Sequence, residues 1–347
     1  VFTSRKIEQL AEENLPARWL TQEQVPSYRT IARFRTSTDI EELLQKGLDS
    51  LVDYLRENKL IDEAIFIDGT KILADANKYS FVWKKSTIKF DQMNRQQIIA
   101  LTAELKEAYS SSHIPEGSNV SLDMVDEILT TLELRLEDLE KEIIKTSTVS
   151  PNPAKQQRRT LKSKKRKLTE RRTKMIDHEM RLKLCGKRNS YSKTDRDATF
   201  MRVKEDPMMN GQLEPAYNLQ IATSKQFIVD FDIFQNPTDT KTLQPFLEKL
   251  KQGNFFPKYI VADAGYGSES NYRYLEDEFP EHTALIPYGT MLKEQSKKWK
   301  TDERKVMNWF YNEKEDYYID LKGVRFNFTA YRQRTDKEGF VRDFKEY

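Results

Sequence analysis

Two apolar runs constrain this chain most, because each ends by delivering one aspartate to a glycine-containing turn. The first is Ala64-Ile65-Phe66-Ile67-Asp68-Gly69-Thr70, and the second is Tyr259-Ile260-Val261-Ala262-Asp263-Ala264-Gly265-Tyr266-Gly267. Short apolar runs bounded by turn signals predict strands buried on both faces. A carboxylate at the end of such a strand is expensive to desolvate unless something positive meets it. Adjacent strands lie about 4.8 Å apart. Two aspartates on neighbouring strands can therefore bracket metal ions roughly 3.5–4 Å apart, the separation used in two-metal phosphoryl transfer. Mg²⁺ suits such a site: hard oxygen ligands, few protein donors, and water and phosphate in the remaining positions. The plainer reading is that Asp followed by Gly is ordinary turn chemistry. Gly265 and Gly267 complete neither a Walker motif nor a dinucleotide fingerprint.

A length of 347 residues predicts two domains or more. Apolar residues make up 37% and charged residues 33%, the balance expected of a chain with several long polar helices. The net charge is only +3, but it is unevenly spread: Lys155 to Lys174 holds eleven Lys/Arg and one acid, Glu170. A local field matters more to a polyanion than the total does. Cys185 is alone, which excludes a disulfide framework and a thiolate zinc site. His113, His178 and His282 are scattered, without metal-ligand spacing. No run has transmembrane length and no signal peptide is visible, so the expected location is cytoplasmic. The chain starts at Val1 and stops at Tyr347 within a β-prone segment, which reads as a fragment or an incomplete reading frame.

Along the chain, residues 1–60 read as a small all-α domain. Ser4 to Leu20 has helical periodicity with Ser4 as N-cap, a basic helix opens at Thr30, and an amphipathic helix covers Asp39 to Asn58. Helix, short turn, basic helix is the outline of a helix-turn-helix, and also of many helical hairpins. Residues 61–290 read as an α/β core with a mixed sheet. Ile65 to Ala74 is its first strand, with Lys78 to Lys85 expected to pair with it. A helical insertion is predicted at about 90–190. Its helices are Arg95 to Ser110, Ser121 to Thr146 with heptad-like apolar spacing, and the basic Ala154 to Leu184; the last two form an antiparallel pair. A hairpin turning at Thr223-Ser224-Lys225, a helix over Thr240 to Gln252, the strand Tyr259 to Ala262, a helix over Ser268 to Phe279 and a strand over His282 to Pro287 follow. Residues 291–347 read as a β-hairpin extension, with Gly323 to Phe328 and Phe340 to Phe344 as its strands.

Several segments in order resemble bacterial insertion-sequence transposases of the DDE class. Phe66-Ile67-Asp68-Gly69-Thr70-Lys71, with Phe81-Val82-Trp83-Lys84-Lys85, is similar to the family's first catalytic block. Asp195-Arg196-Asp197-Ala198-Thr199-Phe200-Met201 and Gly211 to Gln220 look like the block before its second strand. Asp239-Thr240 with Thr242-Leu243 looks like the helix start after the third strand, and Asp263 to Ser268 like the second catalytic block. Ser4 to Glu8 and Arg29 to Arg35 are similar to the DNA-binding region. The resemblance runs from about residue 3 to 347. It implies a ribonuclease H-like core, Mg²⁺-dependent cutting at transposon ends with Mn²⁺ as a substitute, strand transfer into target DNA, and a homo-oligomer. Asp68 and Asp263 become the first two catalytic and metal-binding carboxylates. The family's glutamate lies in a Tyr-x2-Arg-x3-Glu-x6-Lys pattern, matched here by Tyr331, Arg334, Glu338 and Lys345. Thr335 to Gly339 reads as a hairpin turn, so the glutamate is expected beyond Tyr347. The alternative function is then a catalytically inactive DNA-binding remnant; a third reading is another ribonuclease H-like nuclease that ignores terminal repeats.

Candidate DNA contacts are Arg29, Arg33 and Arg35 in the N-terminal helices, Lys84 and Lys85 after the first catalytic strand, and Lys164, Lys165 and Arg166 in the basic helix. Each neutralised phosphate steepens the salt dependence of binding. The competing reading of the basic helix is neutralisation by the acidic stretch Glu127–Glu142, with Glu133, Glu137, Asp138 and Glu140. Trp83 is a candidate for base stacking or for the core. Asp195 and Asp197 are expected to cap or turn the chain.

Overall fold

The computed structural model describes residues 3–109, 120–146, 151–204, 210–253 and 255–347. Helices α1 (Ser4–Glu13), α2 (Leu15–Leu20), α3 (Tyr28–Arg35) and α4 (Ile40–Glu57) precede strand β1 (Ala64–Leu73). Then come β2 (Phe81–Trp83), α5 (Lys84–Tyr109), α6 (Leu122–Lys145), α7 (Pro153–Cys185), β3 (Ser190–Ser192) and β4 (Thr199–Arg202). Next are β5 (Leu213–Ser224), β6 (Phe227–Phe234), α8 (Leu243–Gln252), β7 (Tyr259–Ala262), α9 (Glu269–Glu278) and β8 (Thr283–Leu285). Short helices α10 (Met291–Glu294) and α11 (Lys297–Lys300) lead to β9 (Phe310–Asn312), β10 (Tyr317–Ile319), β11 (Arg325–Asn327), β12 (Ala330–Thr335) and β13 (Val341–Glu346). The chain divides into two units: Val1–Thr70, Leu219–Asp232 and Thr238–Tyr347 form one, and Lys71–Asn218 with Ile233–Pro237 the other. His113 lies outside the described residues.

In the first unit, capping chemistry cuts the expected Ser4 to Leu20 helix in two. Thr3, not Ser4, caps α1 by accepting from Lys6 N. Asn14 ends α1 and caps α2 through Ala17 N, with Pro16 in the first turn, where its missing N–H costs nothing. Ser27 caps α3 through Thr30 N. The amphipathic α4 buries Val52 and Leu55 but leaves Leu43, Leu44 and Leu51 exposed.

The six-stranded sheet that carries the aspartates runs β4-β5-β1-β7-β8, with β6 also paired to β5. β1 and β7 pair parallel, as do β7 and β8. β5 returns antiparallel to β1, because Asp62 N donates to Ser224 Oγ (3.0 Å) at one end and Ala74 N to Pro215 O (2.9 Å) at the other. The β5–β6 turn uses Lys225 and Gln226 at φ 47° and 72°, the left-handed pair of a tight hairpin, one residue later than expected. This is the mixed α/β arrangement expected of a ribonuclease H-like core. One expectation fails: β1 is not buried on both faces. Ile65 and Ile67 are buried, whereas the alternate Phe66 is 54% exposed. Helix α8 buries Leu243, Phe246, Leu247 and Leu250, an i, i+3, i+4, i+7 stripe.

The second unit is dominated by α5, α6 and α7. In α7, Ala154, Leu161, Leu168 and Met175 are buried at strict seven-residue spacing, against Val125, Ile128, Leu132 and Leu139 of α6 and Ile98 and Leu105 of α5. Heptad spacing keeps one seam facing its neighbours. The three expected helices of the insertion pack on one another, and the first begins at Lys84, well before the expected Arg95. β2 pairs antiparallel with β3, not with β1 as expected, and a three-residue strand carries too little pattern to choose its partner. Trp83 packs with Phe81 and Phe200, each at a centroid distance of 6.0 Å, which assigns it to an aromatic cluster. Asp195 Oδ1 accepts from Asp197 N (3.1 Å) and Ala198 N (3.3 Å), the turn role anticipated for it.

The C-terminal strands pair differently from the single predicted hairpin. Arg325–Asn327 joins β10 in a β9-β10-β11 sheet, and Val341–Glu346 pairs with β12. The turn between β12 and β13 closes at Gly339, whose φ of 92° suits glycine.

Candidate active site

The parallel register of β1 and β7 aligns Phe66 with Val261 and Ile67 with Ala262. Asp68 lies within β1 and Asp263 just past the end of β7, each one position beyond the last of these pairs, so both acids are level with the C-terminal end of β7, the end at which open α/β sheets bind ligands. Each aspartate is exposed and is oriented by the turn after it. Asp68 Oδ1 accepts from Gly69 N at 2.8 Å, and Asp263 Oδ1 from Gly265 N at 2.8 Å. The second bond caps the short 3-10 turn Ala264–Tyr266.

A third acid stands beside them. Asp239 opens the 3-10 turn Asp239–Lys241 that leads into α8. A Cβ placed on Gly69 would lie 2.6 Å from Gln220 Nε2 and 2.8 Å from Asp239 Oδ1, so the glycine after Asp68 is required by close approach. Gln220 Nε2 donates to Asp239 Oδ1 at 3.2 Å, and Tyr266 Oη donates to Gln220 Oε1. Burial first, then the charges of Asp239, Asp68 and Asp263, push the Tyr266 phenol well above its ordinary range. The two turns are laced together. Asn271 Nδ2 donates to Thr240 O (2.9 Å) and Tyr266 O (2.7 Å), and Thr240 Oγ1 donates to Gly265 O (2.8 Å). Gln244 Nε2 holds Asn271 Oδ1 at 3.1 Å.

Among the described residues no three His, Cys, Asp or Glu side chains converge on one metal position. Mg²⁺ is commonly held by one or two carboxylates with water and phosphate completing the octahedron, so the oxygen donors of Asp68 and Asp263 fit a hard divalent cation. His178 and His282 have other surroundings: His178 Nδ1 lies 3.4 Å from Asp91 Oδ1, and His282 Nδ1 bonds Pro257 O at 2.8 Å. Glu338 lies in the β12–β13 turn, where it pairs with Lys241.

The candidate DNA-contacting cations fall into three groups. Arg29, Arg33 and Arg35 are exposed on α3, and Arg29 Nε bonds Tyr28 Oη at 3.2 Å. Lys84 opens α5 and donates to Gly186 O at 2.5 Å, while Lys85 beside it is exposed. On α7, Lys164 pairs with Glu104 (3.3 Å), Lys165 with Glu133 (2.7 Å) and Arg166 with Glu170 (3.7 Å). Two further α6–α7 pairs, Arg158–Glu140 and Arg172–Asp126, complete a ladder at heptad spacing. The predicted neutralisation by acids of the preceding helix is thus present. Opposite the buried seam, Lys155, Arg159, Lys162 and Arg166 line one exposed face at i, i+4, i+7 and i+11.

Sequence reasoning missed Asp239, Gln220 and Tyr266 as members of the site. The available signal was on β5: Asn218, Gln220 and Ser224 alternate with half-buried positions and are completely buried. Polar side chains in the inward register of a strand demand buried partners.

Comparison with known proteins gives one match. No curated protein and no solved structure matches the chain. Residues 188–345 match the family described as transposase DDE domain, a span that includes Gln220, Asp239, Asp263 and Tyr266 and excludes Asp68. Residues 188–345 thus resemble a transposase DDE domain, which supports a DDE-type transposase.

Proposed function

We propose that this chain cleaves DNA at the ends of an insertion sequence and joins those ends to target DNA, with Asp68 and Asp263 as cation-binding catalytic carboxylates. The observation that carries the reading is the parallel β1–β7 register, which sends both acids to one sheet end in a chain with a transposase DDE domain. Gly69 N and Gly265 N each orient one carboxylate oxygen, leaving each acid its second oxygen for a cation. Mg²⁺, or Mn²⁺ in its place, supplies Lewis acidity at the scissile phosphate when bound. Duplex DNA, both transposon end and target, is the partner, and a homo-oligomer is the acting form. Phosphate contacts fall to Arg29, Arg33 and Arg35 on α3, to Lys84 and Lys85, and to the α7 cations. Within α7 the exposed Lys155, Arg159 and Lys162 are better placed than Lys164 and Lys165, whose ammonium groups already meet carboxylates, while Arg166 faces Glu170 at 3.7 Å.

The test is Mg²⁺- and Mn²⁺-dependent nicking of a labelled duplex containing the element's end. Asp68→Asn and Asp263→Asn are each expected to lower nicking on the order of a thousandfold while leaving DNA retention intact. Unchanged nicking would overturn the assignment. Glu338, the in-chain match to the family's glutamate, is engaged by Lys241, and this favours one second reading, a DNA-binding protein without catalysis. That reading predicts salt-sensitive retention of duplex and no nicking with either ion.

A further inference from the structure

We propose that Lys241 is a further DNA-phosphate contact beside the two aspartates, and that the Glu338 carboxylate occupies its ammonium group until a phosphate replaces it. The inference rests on the reading that DNA is cut at the sheet end carrying Asp68 and Asp263, and it deepens that reading.

Charge explains why a cation is needed there. Asp68 and Asp263 stand level at the C-terminal end of β7, and Asp239 Oδ1 comes within 2.8 Å of where a Cβ on Gly69 would stand. Duplex DNA carries one negative charge per about 1.7 Å of helix axis. Like charges therefore meet at this end unless fixed cations stand close by. Lys241 is such a cation. It ends the 3-10 turn Asp239–Lys241, two positions after Asp239. That turn is tied to the Asp263 turn: Thr240 Oγ1 donates to Gly265 O (2.8 Å), and Asn271 Nδ2 donates to both Thr240 O and Tyr266 O. The main chain of Lys241 is thereby fixed relative to Asp263, while its side chain stays 48% exposed.

The anion that meets the ammonium group is replaceable. Glu338 sits in the β12–β13 turn, where Asp336 Oδ1 accepts from Glu338 N (2.8 Å) and Phe340 N (3.0 Å). The turn is thus fixed without the Glu338 side chain. Further contacts anchor the hairpin beside it. Arg342 Nε and Arg273 Nη2 both donate to Glu269, at 2.8 and 3.0 Å, and the two guanidinium groups lie 5.4 and 5.6 Å from the Phe340 ring centroid. Loss of the Glu338–Lys241 pair therefore leaves the hairpin anchored. The pair is half-exposed on both sides, and such pairs contribute little to stability. A phosphate oxygen offers the ammonium group the same charge-assisted hydrogen bond as a carboxylate oxygen. Lys241 can pass from Glu338 to DNA while both turns keep their main-chain bonds, and Glu338 is left to solvent.

The experiment measures the affinity of the full chain for a fluorescently labelled duplex containing the element's end. Anisotropy is read across a salt series in EDTA, so that no divalent cation contributes. Glu338→Gln keeps the shape of the side chain and removes the competing charge. It is expected to tighten binding about threefold at low salt, within what an exposed ion pair is worth. It is also expected to steepen the salt slope by up to about 0.9, because one phosphate is neutralised with no carboxylate to displace. In the Lys241→Gln background the same substitution is expected to change neither quantity. Equal tightening in both backgrounds means that Glu338 only repels DNA by its charge, and overturns the proposal. Unchanged affinity in Glu338→Gln overturns it as well. Nicking by Asp68→Asn in Mg²⁺ separates the layers. Unchanged nicking there removes the reading on which the inference rests, whereas loss of nicking there with no coupling between Glu338 and Lys241 removes only the inference.

Discussion

The α7 flank in one unit and the two aspartate turns in the other treat charge in opposite ways. In the helical unit nearly every cation on the flanks of the α7 seam has an acid opposite it, from Arg158–Glu140 through Lys165–Glu133 to Arg172–Asp126. In the sheet unit Asp68 accepts from the main-chain amide of Gly69 and Asp263 from that of Gly265. The difference separates rigidity from availability. Exposed pairs are individually worth little, about 0–1 kcal/mol each, but their heptad spacing repeats the register that the buried seam sets. A carboxylate oriented by an amide keeps most of its negative charge for a cation from solution. The helical flank turns its charges on itself, whereas the two aspartates are met by main-chain amides.

The contrast can be broken most severely at the seam. Leu161→Ala, at a completely buried position of α7, is expected to cost about 2–5 kcal/mol in denaturant unfolding. Loss of that size would show that apolar packing, not the ion-pair ladder, holds the helices. In the sheet unit, Gly69→Ala forces a methyl against Gln220 and Asp239, at an expected cost of about 1–3 kcal/mol. It should also weaken Mn²⁺ binding, read by paramagnetic resonance of free Mn²⁺ in a titration of the full chain. Charge neutralisation on the open face of α7 comes next. Replacing Lys155, Arg159 and Lys162 with Gln should lower the slope of log affinity against log salt by about 0.9 for each phosphate no longer neutralised. Replacing Lys164 and Lys165 should change it less, because their partners Glu104 and Glu133 are freed at the same time. Equal changes from both sets would remove the distinction between paired and open cations. The smallest effect is expected at Glu338. Glu338→Gln breaks a half-exposed ion pair with Lys241, worth less than about 1 kcal/mol, and should leave nicking unchanged. A large loss of nicking would instead make Glu338 part of the chemistry.

Legibility followed the range of the signal. The α6 and α7 helices were readable because their seam repeats every seven residues over many turns, and Ser121 caps α6 as its position suggested. The start of α5 was not, because Lys84 and Lys85 follow a β-prone aromatic run and nothing local marks the switch. The strands β2, β11 and β13 were visible as segments but were given the wrong partners. Strand pairing depends on which other edges are free, and three to six residues carry too little pattern to select one. Asp68 and Asp263 could be picked out locally, each ending an apolar run before a glycine turn. The Tyr266–Gln220–Asp239 chain could not, since its links span 46 and 19 residues.

By itself the sequence determined what local physics can encode: the helical seam, two aspartates that each end an apolar run before a glycine turn, the Ser121 cap, and the concentration of positive charge in α7. Tertiary structure decided what depends on pairing. The parallel β1–β7 register brought two acids to one sheet end, and the antiparallel return of β5 carried Gln220 beneath Tyr266 and against Asp239. The α6–α7 packing decided which cations are matched to neighbouring acids and which stay on the open face. The physical reason is common to all three. A side chain's type is written at its own position, but its function depends on the partner that meets it, and partners distant in sequence are assigned only when the chain folds.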